Sequence, residues 1–447
     1  MNEQLDTSIA NLGPCRTDSP LLARLHATSP DNRFVGDDER ILFDDKLATL
    51  IARGLPVEQL PAFEKAGARE KIYFDPSKVR VGIVTCGGLC PGMNNVIAGL
   101  VQELRTLYGV RNITGYRNGY AGFIAKYGYP TIDLSDLDVQ RIRNDGGTIL
   151  GTSRGNQDPV EIVDALEQEG IGILFVIGGD GTMRGAKAIS EEVHARGRKI
   201  AVVGIPKTID NDIPFIDQSF GFQTAFAEAA NAIRNGYVEA TAAPNGVSII
   251  KLMGRYAGFI AAFAALADTS ADFVLIPEVP FEIDGPGGFL EVLERRVREQ
   301  GHAVVVTAEG AGQEHFEQDT GLDASGNKQL NDIGGLLRSR VKEHFEAVDL
   351  PITLRYIDPS YAIRSVAANS YDSVYCIQLA QAAVHAAMAG KTEVVVGRFR
   401  RRFVHMPMPL VTSRVNQVNP EGDLWWSVLE NTGQPARFGP PLEDPVV

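Results

Sequence analysis

The sequence has 447 residues and a formal net charge of −13, with 44% hydrophobic and 22% charged residues. This composition is typical of a globular protein of two or three domains, and its negative charge argues against binding to nucleic acid or to an anionic membrane. Four cysteines in so long a chain are not a disulfide framework. No signal peptide or run of about 18 apolar residues is evident, so we expect a cytoplasmic protein.

Residues 1–78 carry no recognisable chemistry and are predicted to form an N-terminal extension. Short helical patterns occur near 40–53 and 57–66. The extension could be a regulatory arm, an oligomer contact or a cover for the core, and the sequence does not distinguish these.

The first glycine-rich turn follows a strand-like run at 79–85 and precedes a helical pattern at 93–107. Its glycines, Gly87 and Gly88, would let backbone amides approach phosphate oxygens at the positive end of a helix. The spacing fits neither the dinucleotide-binding G-x-G-x-x-G pattern nor a P-loop. The Gly-Lys-Thr at 390–392 is no P-loop either, because His385 stands where the first glycine belongs.

A polar loop at 145–155 contains Ser153 and Arg154. An arginine fork suits a phosphate group, so the loop could present both residues to an anion. The alternative is a flexible surface loop, which the loop sequence alone favours.

The second glycine-rich turn follows the apolar run 171–177 and precedes a helical pattern at 183–196. It holds one carboxylate, Asp180, which is well placed to bind Mg²⁺ against a polyphosphate. Helix capping and tight packing could explain a single such turn, but two are harder to explain that way. The turn consists of Gly178, Gly179, Asp180, Gly181 and Thr182.

A third turn follows the apolar run 200–205, which ends at a proline as a buried strand would. It carries a lysine, a hydroxyl and two carboxylates, and neighbouring carboxylates can act separately as base and as positioning group. Alone, these residues could equally cap an ordinary strand-to-helix turn. They are Lys207, Thr208, Asp210 and Asp212.

Further strands alternate with helices, which predicts a mostly parallel α/β architecture. In such sheets ligands gather at the carboxyl ends of the strands. The further predicted strands lie at 247–252, 273–276, 303–307, 352–357 and 393–396, with a long helix at 369–389.

Four motifs occur in the order and spacing of the 6-phosphofructokinases, and from roughly residue 79 to 410 the chain resembles that family. Gly-Gly-Asp-Gly-Thr alone is also found in NAD kinases and diacylglycerol kinases, but those enzymes lack the last two motifs. The four are Gly87-Gly88-x-x-Pro91-Gly92-Met93-Asn94, Gly178-Gly179-Asp180-Gly181-Thr182, Pro206-Lys207-Thr208-Ile209-Asp210-Asn211-Asp212 and Met253-Gly254-Arg255.

The resemblance implies an α/β fold with two Rossmann-like parallel-sheet domains behind the N-terminal extension. Residues 79–221 and 358–408 would bind the phosphate donor, and residues 222–357 would bind the sugar phosphate. Residues 409–447 would be a C-terminal tail. A homodimer or homotetramer is the assembly that the family suggests.

The resemblance also implies a glycolytic reaction, in which MgATP phosphorylates the 1-hydroxyl of fructose 6-phosphate. Asp210 would be the general base, Asp180 the Mg²⁺ ligand, and Arg255 would stabilise the phosphoryl group in transfer. Thr208 and Asp212 would hold the sugar and the phosphoryl group. The donor would contact Gly87, Gly88, Ser153, Arg154, Gly178, Gly179, Asp180, Gly181 and Thr182, and the sugar would contact Thr208, Asp210, Met253, Gly254, Arg255, Glu309, Tyr356 and Arg364.

The family includes ATP-dependent and pyrophosphate-dependent enzymes, and two positions in the sequence indicate which phosphate donor is used. Pyrophosphate enzymes usually have an aspartate in place of Gly181, whereas Lys207 is typical of them. The combination matches the plant and kinetoplastid ATP-dependent branch, so ATP is the expected donor and pyrophosphate the alternative. A non-catalytic regulatory subunit is a distant alternative, and activity on sedoheptulose 7-phosphate stays open.

Overall fold

The computed structural model describes residues 6–25, 34–317, 321–322 and 329–440, and two sheets dominate it. The larger sheet has nine strands and the smaller has four. Both are built around parallel strands with helices on their faces, which confirms the predicted α/β class. Parts of the predicted extension and tail lie outside the described residues, at 1–5, 26–33 and 441–447.

The strands are numbered in chain order. They are β1 (Ala10–Asn11), β2 (Thr17–Asp18), β3 (Arg40–Leu42), β4 (Ala62–Lys65), β5 (Lys71–Ile72), β6 (Arg80–Thr85), β7 (Asn112–Tyr116), β8 (Ile132–Asp133), β9 (Ile173–Gly178), β10 (Ala201–Pro206), β11 (Gly246–Leu252), β12 (Phe273–Leu275), β13 (His302–Ala308), β14 (Thr353–Ile357), β15 (Lys391–Thr392), β16 (Val394–Phe399) and β17 (Arg402–Pro407).

The helices are numbered likewise, and a π-helical segment at Glu103–Tyr108 continues the third of them. They are α1 (Leu22–Leu25), α2 (Leu47–Arg53), α3 (Met93–Gln102), α4 (Val139–Ile142), α5 (Pro159–Gln168), α6 (Asp180–Ala195), α7 (Phe222–Thr241), α8 (Phe259–Ala267), α9 (Phe289–Gln300), α10 (Ile333–Ala347), α11 (Ser360–Ser365), α12 (Ser370–Met388), α13 (Met408–Val411) and α14 (Asp423–Thr432).

The larger sheet has the strand order β3-β4-β17-β16-β10-β9-β6-β7-β8. Its centre, from β16 to β7, is parallel, and the strands outside it are antiparallel. Every residue of β9 and β10 is buried, because α3 and α12 cover one face and α5 and α6 cover the other. Such two-sided burial explains why these strands read as continuous apolar runs rather than as alternating patterns.

The smaller sheet has the order β12-β13-β11-β14 and is parallel throughout. Helices α7 and α8 pack on one face, and α9 and α10 pack on the other. Asp372 of α12 connects this layer to the larger sheet, because its carboxylate accepts hydrogen bonds from the backbone N–H and hydroxyl of Thr224 in α7, at 2.7 and 2.6 Å. The two sheets are therefore joined through α7 and α12.

The helical patterns predicted near 40–53 and 57–66 are only partly correct. Residues 47–53 are helical, but β3 and β4 are strands that extend the larger sheet beyond β17. In β4, Phe63 is fully buried, and Glu64 accepts hydrogen bonds from Arg69 and Lys391. Pairing with distant residues has overridden the local helical pattern, and residues of the predicted extension thus belong to the main sheet.

Residues of the predicted tail pack onto the smaller sheet. Trp425 of α14 is 2% exposed and lies in the core that α7 and α8 share. The backbone N–H of Val418 donates to Glu278 Oε1 at 2.8 Å. Over the described parts of the chain, no helix has both the length and the apolar character needed to cross a membrane.

Candidate active site

A cleft of about 440 Å³ lies between the two sheets, at the carboxyl ends of β6, β9, β10, β11 and β13. It brings together most of the residues singled out in the sequence. Those that line it are Gly87, Gly88, Ser153, Arg154, Gly179, Asp180, Gly181, Thr182, Lys207, Thr208, Asp210, Asp212, Met253, Arg255, Glu309 and Arg364.

Three of the predicted residues do not line the cleft. Gly178 packs under the turn, where a Cβ atom would lie 2.4 Å from the side chain of Thr182. Gly254 has a φ of +129°, and a Cβ there would lie 2.6 Å from the carbonyl oxygen of Ala257. A side chain at Gly178 would therefore clash with the Thr182 side chain, and one at Gly254 would clash with the backbone of Ala257. Tyr356 contacts neighbouring elements instead, as described below.

One end of the cleft, which we call the donor end, is formed by backbone. Helix α6 starts at Asp180, three residues before the predicted start, and Gly179 precedes it without any side-chain cap. The first N–H groups of a helix have no partner within the helix and favour a negative charge. The Tyr120 hydroxyl donates to the Thr182 carbonyl at 2.7 Å and holds this first turn in place.

The first glycine turn faces the start of α6. Gly87 has a φ of +84°, a conformation that favours glycine. Its N–H donates to the Ser153 carbonyl at 3.0 Å, and its carbonyl accepts from the Thr152 hydroxyl at 2.6 Å. The turn is thus locked against the loop that carries Ser153 and Arg154.

That loop, at 145–155, is anchored from below by Asn94 of α3. The Asn94 side chain accepts from the N–H of Ile149 at 2.9 Å and donates to the carbonyl of Asp145 at 3.2 Å. The Thr85 hydroxyl adds a bond to the Gly151 carbonyl at 2.7 Å. The loop is therefore held by buried polar groups, which favours the anion-binding interpretation over a free surface loop.

The third turn is compact because its polar groups bond to one another. The Thr208 hydroxyl donates to Asp212 Oδ1 at 2.5 Å, and the Asp210 N–H donates to the Thr208 hydroxyl at 3.3 Å. Asn211 has a φ of +57°, and its side chain accepts from the N–H of Ser219 at 2.8 Å. This network directs Asp210 into the cleft.

The carboxylate of Asp210 accepts few hydrogen bonds from its neighbours. Its Oδ1 atom is buried and has no hydrogen-bond partner among the described residues, and its Oδ2 atom accepts one long bond of 3.5 Å from the Arg255 N–H. Burial raises the pKa of Asp210 well above its ordinary value, and the charges of Asp212 and Glu309 raise it further. A carboxyl group with a raised pKa is a stronger base once it is ionised.

Lys207 supplies a buried positive charge beside the donor end. Its side chain is 6% exposed, and burial lowers its pKa. A Cβ on Gly87 would lie 3.7 Å from its Nζ atom, so the ammonium group sits at the first glycine turn. The negative charges of Asp210 and Asp212 oppose that lowering of the pKa. An anion bound at this turn would meet the ammonium group of Lys207.

If a phosphate ligand carries a magnesium ion, Asp180 and Asp212 are the carboxylates of the cleft that would meet it, and Asp180 is also ion-paired with Arg184 on the same helix. Burial raises the pKa of Asp212, and the nearby charge of Asp180 adds to the rise, so the two carboxylates repel each other. No cluster of three or more metal-ligating side chains occurs among the residues described. Mg²⁺ commonly takes one or two carboxylates and completes its shell with phosphate oxygens and water, which these residues allow.

The opposite end of the cleft, which we call the sugar end, is built from charged side chains. Glu309 follows β13, and burial raises its pKa. Arg364 lies on α11 with its guanidinium group 4.4 Å from the centre of the Tyr361 ring. Met253 and Arg255 follow β11 on the side nearest Asp210.

Sequence reasoning missed several residues of this end. Lys251, Asp358 and Tyr361 line the cleft, whereas Tyr356 lies against Gly334 of α10, where a Cβ would come within 2.4 Å of the tyrosine hydroxyl. Tyr361 precedes Arg364 by three positions, a spacing that puts both on one helix face and was visible in the sequence. No comparable local signal marks Lys251 or Asp358.

Comparison with known proteins identifies the family of this chain. The sequence profile of the family described as phosphofructokinase matches residues 80–387. The chain belongs to the phosphofructokinase family. An ATP-dependent 6-phosphofructokinase of Amycolatopsis methanolica is 57% identical over 441 residues, covering 97% of this chain and 96% of the relative. One of Trypanosoma brucei brucei is 44% identical over 395 residues, covering 87% and 80%.

A solved structure shares the phosphofructokinase fold. A pyrophosphate-dependent phosphofructokinase of Marinobacter aquaeolei superposes with a TM-score of 0.65 at 23% identity, covering 82% of this chain and 94% of the other. The resemblance inferred from the four motifs is therefore confirmed, and the cleft lies where these motifs meet.

Proposed function

We propose that this phosphofructokinase transfers the γ-phosphoryl group of MgATP to the 1-hydroxyl of fructose 6-phosphate, giving fructose 1,6-bisphosphate in glycolysis. The observation that carries the proposal is the buried carboxylate of Asp210, which lies between a backbone-lined donor end and a charged sugar end of one cleft. The names of the relatives support the same activity.

Asp210 is the general base in this mechanism. Its carboxylate removes the proton of the sugar 1-hydroxyl while that oxygen bonds to the γ-phosphorus atom. The bond between the γ-phosphorus and the bridging oxygen breaks, ADP leaves, and the proton stays on Asp210. The unpartnered Oδ1 atom supports this role, because it has an acceptor site to offer the hydroxyl.

Charge stabilisation comes from both sides of the phosphoryl group. Lys207 and the first turn of α6 neutralise the donor phosphates, and Arg255 meets the group in transfer. When bound, Mg²⁺ neutralises phosphate charge further, and Asp180, with Asp212 close by, would hold it. Thr208 keeps Asp212 in place through its hydroxyl.

The sugar phosphate is held by residues of the opposite end. Glu309 accepts hydrogen bonds from sugar hydroxyls, and Arg364 binds the 6-phosphate as a fork. Met253 forms part of the wall of this end. In this proposal residues 79–221 and 358–408 form the donor domain and residues 222–357 form the sugar-phosphate domain, and Arg364 of α11 reaches the sugar from the donor domain.

ATP is the proposed donor and pyrophosphate the alternative. Gly181, on the first turn of α6, has no side chain to crowd or repel the α-phosphate of a nucleotide. Lys207 favours the alternative, because an ammonium group can neutralise a leaving phosphate. The relatives named ATP-dependent 6-phosphofructokinase also favour ATP as the phosphate donor.

The deciding experiment is a turnover assay with purified protein, fructose 6-phosphate, Mg²⁺ and either donor. We expect fructose 1,6-bisphosphate with ATP and at least roughly tenfold slower turnover with pyrophosphate. Turnover with pyrophosphate alone would reverse the donor assignment. No turnover with either donor would favour a regulatory subunit. Light scattering on the same sample would test the expected homodimer or homotetramer.

A further inference from the structure

Lys251 is a charged residue that the proposed chemistry does not use. It lies near the end of β11, its side chain is 18% exposed, and it lines the sugar end of the cleft. A lysine so well covered must be compensated by its neighbours, because burying a single charge is costly.

The main partner of Lys251 is Asp358. The Nζ atom lies 2.8 Å from Asp358 Oδ2 and 3.7 Å from Asp332 Oδ1. The Tyr356 hydroxyl also lies beside the ammonium group. Tyr356 therefore contacts Lys251 rather than the cleft, which gives it an indirect link to the sugar end.

Asp358 uses its other oxygen to hold the start of α11. Its Oδ1 atom accepts from the Ser360 N–H at 3.2 Å and from the Ser360 hydroxyl at 2.5 Å. Asp358 precedes the N-cap Pro359, and its bond to the Ser360 N–H satisfies one of the N–H groups that have no partner within the helix. A helix as short as Ser360–Ser365 depends on such outside contacts, because its own hydrogen bonds are few.

Helix α11 in turn carries Tyr361 and Arg364 into the cleft. The guanidinium group stacks on the tyrosine ring at 4.4 Å, although Tyr361 is 75% exposed. A continuous chain of contacts thus runs from Lys251 through Asp358 to the residue that would hold the sugar phosphate. The contacts that form this chain do not involve the glycine turns of the donor end.

We propose that Lys251 and Asp358 are a positioning pair that orients α11, so that Tyr361 and Arg364 meet the phosphate of the sugar. The inference rests on the proposed function and deepens it. The pair holds the first turn of α11, whereas the donor-end loop packs at Gly146 against the last residue of the helix, Ser365. Loss of the pair should therefore weaken sugar binding and leave donor binding nearly unchanged. A direct bond from Lys251 to the phosphate is the competing explanation.

The test is steady-state kinetics of the full chain with Lys251→Met, Asp358→Asn and the double variant. We expect each single variant to raise KM for fructose 6-phosphate roughly tenfold, with KM for ATP changed less than about twofold. The double variant should be no worse than the more affected single variant, because both changes break one pair. Lys251→Arg should restore KM for the sugar to within about threefold of the wild type.

A matched control is Lys342→Met, which removes a surface lysine paired with Glu346 on α10 and should change neither KM. An equal rise of both KM values in Lys251→Met, or the effects of the two single variants multiplying in the double variant, would overturn the inference. So would an unchanged KM for the sugar in Asp358→Asn. If Lys251→Met does not fold, KM for the sugar in Asp358→Asn and in Lys251→Arg still tests the inference. A wild-type protein inactive on fructose 6-phosphate would instead refute the proposed function.

Discussion

The two ends of the cleft are built in different ways. At the donor end, glycine turns and the first turn of α6 present backbone N–H groups, with Lys207 as the buried cation. At the sugar end, the lining consists of side chains such as Lys251, Glu309 and Arg364, which compensate one another.

This difference predicts opposite sensitivities. At the donor end, any added side chain should weaken donor binding. Donor binding there should also depend on how the loops are anchored. At the sugar end, removing a charged side chain should weaken sugar binding, because each buried charge there compensates a neighbour. Asp210 lies where the two ends meet, so its replacement should affect the reaction itself more than the binding of either substrate.

The largest effect is expected for Asp210→Asn. This variant keeps the size of the side chain and removes the base, so kcat should fall roughly 10²–10⁴-fold. KM for fructose 6-phosphate should change much less. Single-turnover and steady-state rates with saturating substrates would measure the change.

Thermal unfolding at pH 7 is the control for Asp210→Asn. Because the pKa of Asp210 is raised on folding, the folded protein favours the protonated form, and the ionised form costs stability as the pH rises above the ordinary range of aspartate. The neutral asparagine avoids that cost, so Tm should be unchanged or higher. An unchanged kcat in the folded variant would remove Asp210 from its role as base.

A smaller and more selective effect is expected for Gly181→Asp. A like charge about 4 Å from a phosphate costs about 4 kcal/mol at an effective dielectric constant of about 20, and solvent reduces this figure. We therefore expect KM for ATP to rise roughly 10²-fold, with KM for the sugar unchanged. Kinetics with ATP and with pyrophosphate as varied substrates would measure it.

Gly181→Ala separates charge from size in that experiment. Alanine adds a Cβ without a carboxylate, so its effect on KM for ATP should be several-fold smaller than that of aspartate. A stability change would not explain the result, because an aspartate in the first turn of a helix is favourable. Equal effects of both substitutions would show that crowding, not charge, decides the donor.

The donor end could be predicted from sequence because its features are local. Gly87 and Gly179 each belong to a strand–turn–helix pattern that is read within about ten residues, and the same holds for the Asp210 turn. These patterns predict the fold class and the glycine turns, whereas the assignment of Ser153 and Arg154 to the donor rests on the resemblance to the family. The start of α6 was placed three residues late, since glycine and aspartate are weak helix formers away from a helix end.

The sugar end was harder because its contacts are distant in sequence. Lys251 meets Asp358 across more than a hundred residues, and neither position has a spacing that would reveal the pair. The resemblance implies a sugar contact for Tyr356, but Tyr361 lines the cleft and Tyr356 does not. The strand at Ala62–Lys65 has no local signal for the same reason, since Glu64 is tolerated in the core through the distant partners Lys391 and His405 as well as Arg69.

The smallest effect, and the sharpest test of the comparison, is expected for Asn94→Ala. This change removes three part-buried hydrogen bonds to the loop that carries Ser153 and Arg154, and Asn94 does not line the cleft. A loss of about 1 kcal/mol in loop anchoring corresponds to roughly a fivefold rise in KM for ATP. KM for the sugar and kcat should stay within about twofold.

Asn95→Ala is the matched control, because the two asparagines are adjacent on α3 and equally buried at 2% exposure. Asn95 donates instead to the Ser373 hydroxyl of α12 at 3.3 Å and has no bond to the loop. Both variants should lose similar stability, but only Asn94→Ala should raise KM for ATP. If both variants raised it equally, general loosening of α3 would explain the effect, and the donor end would depend on core packing rather than on the anchoring of its loop.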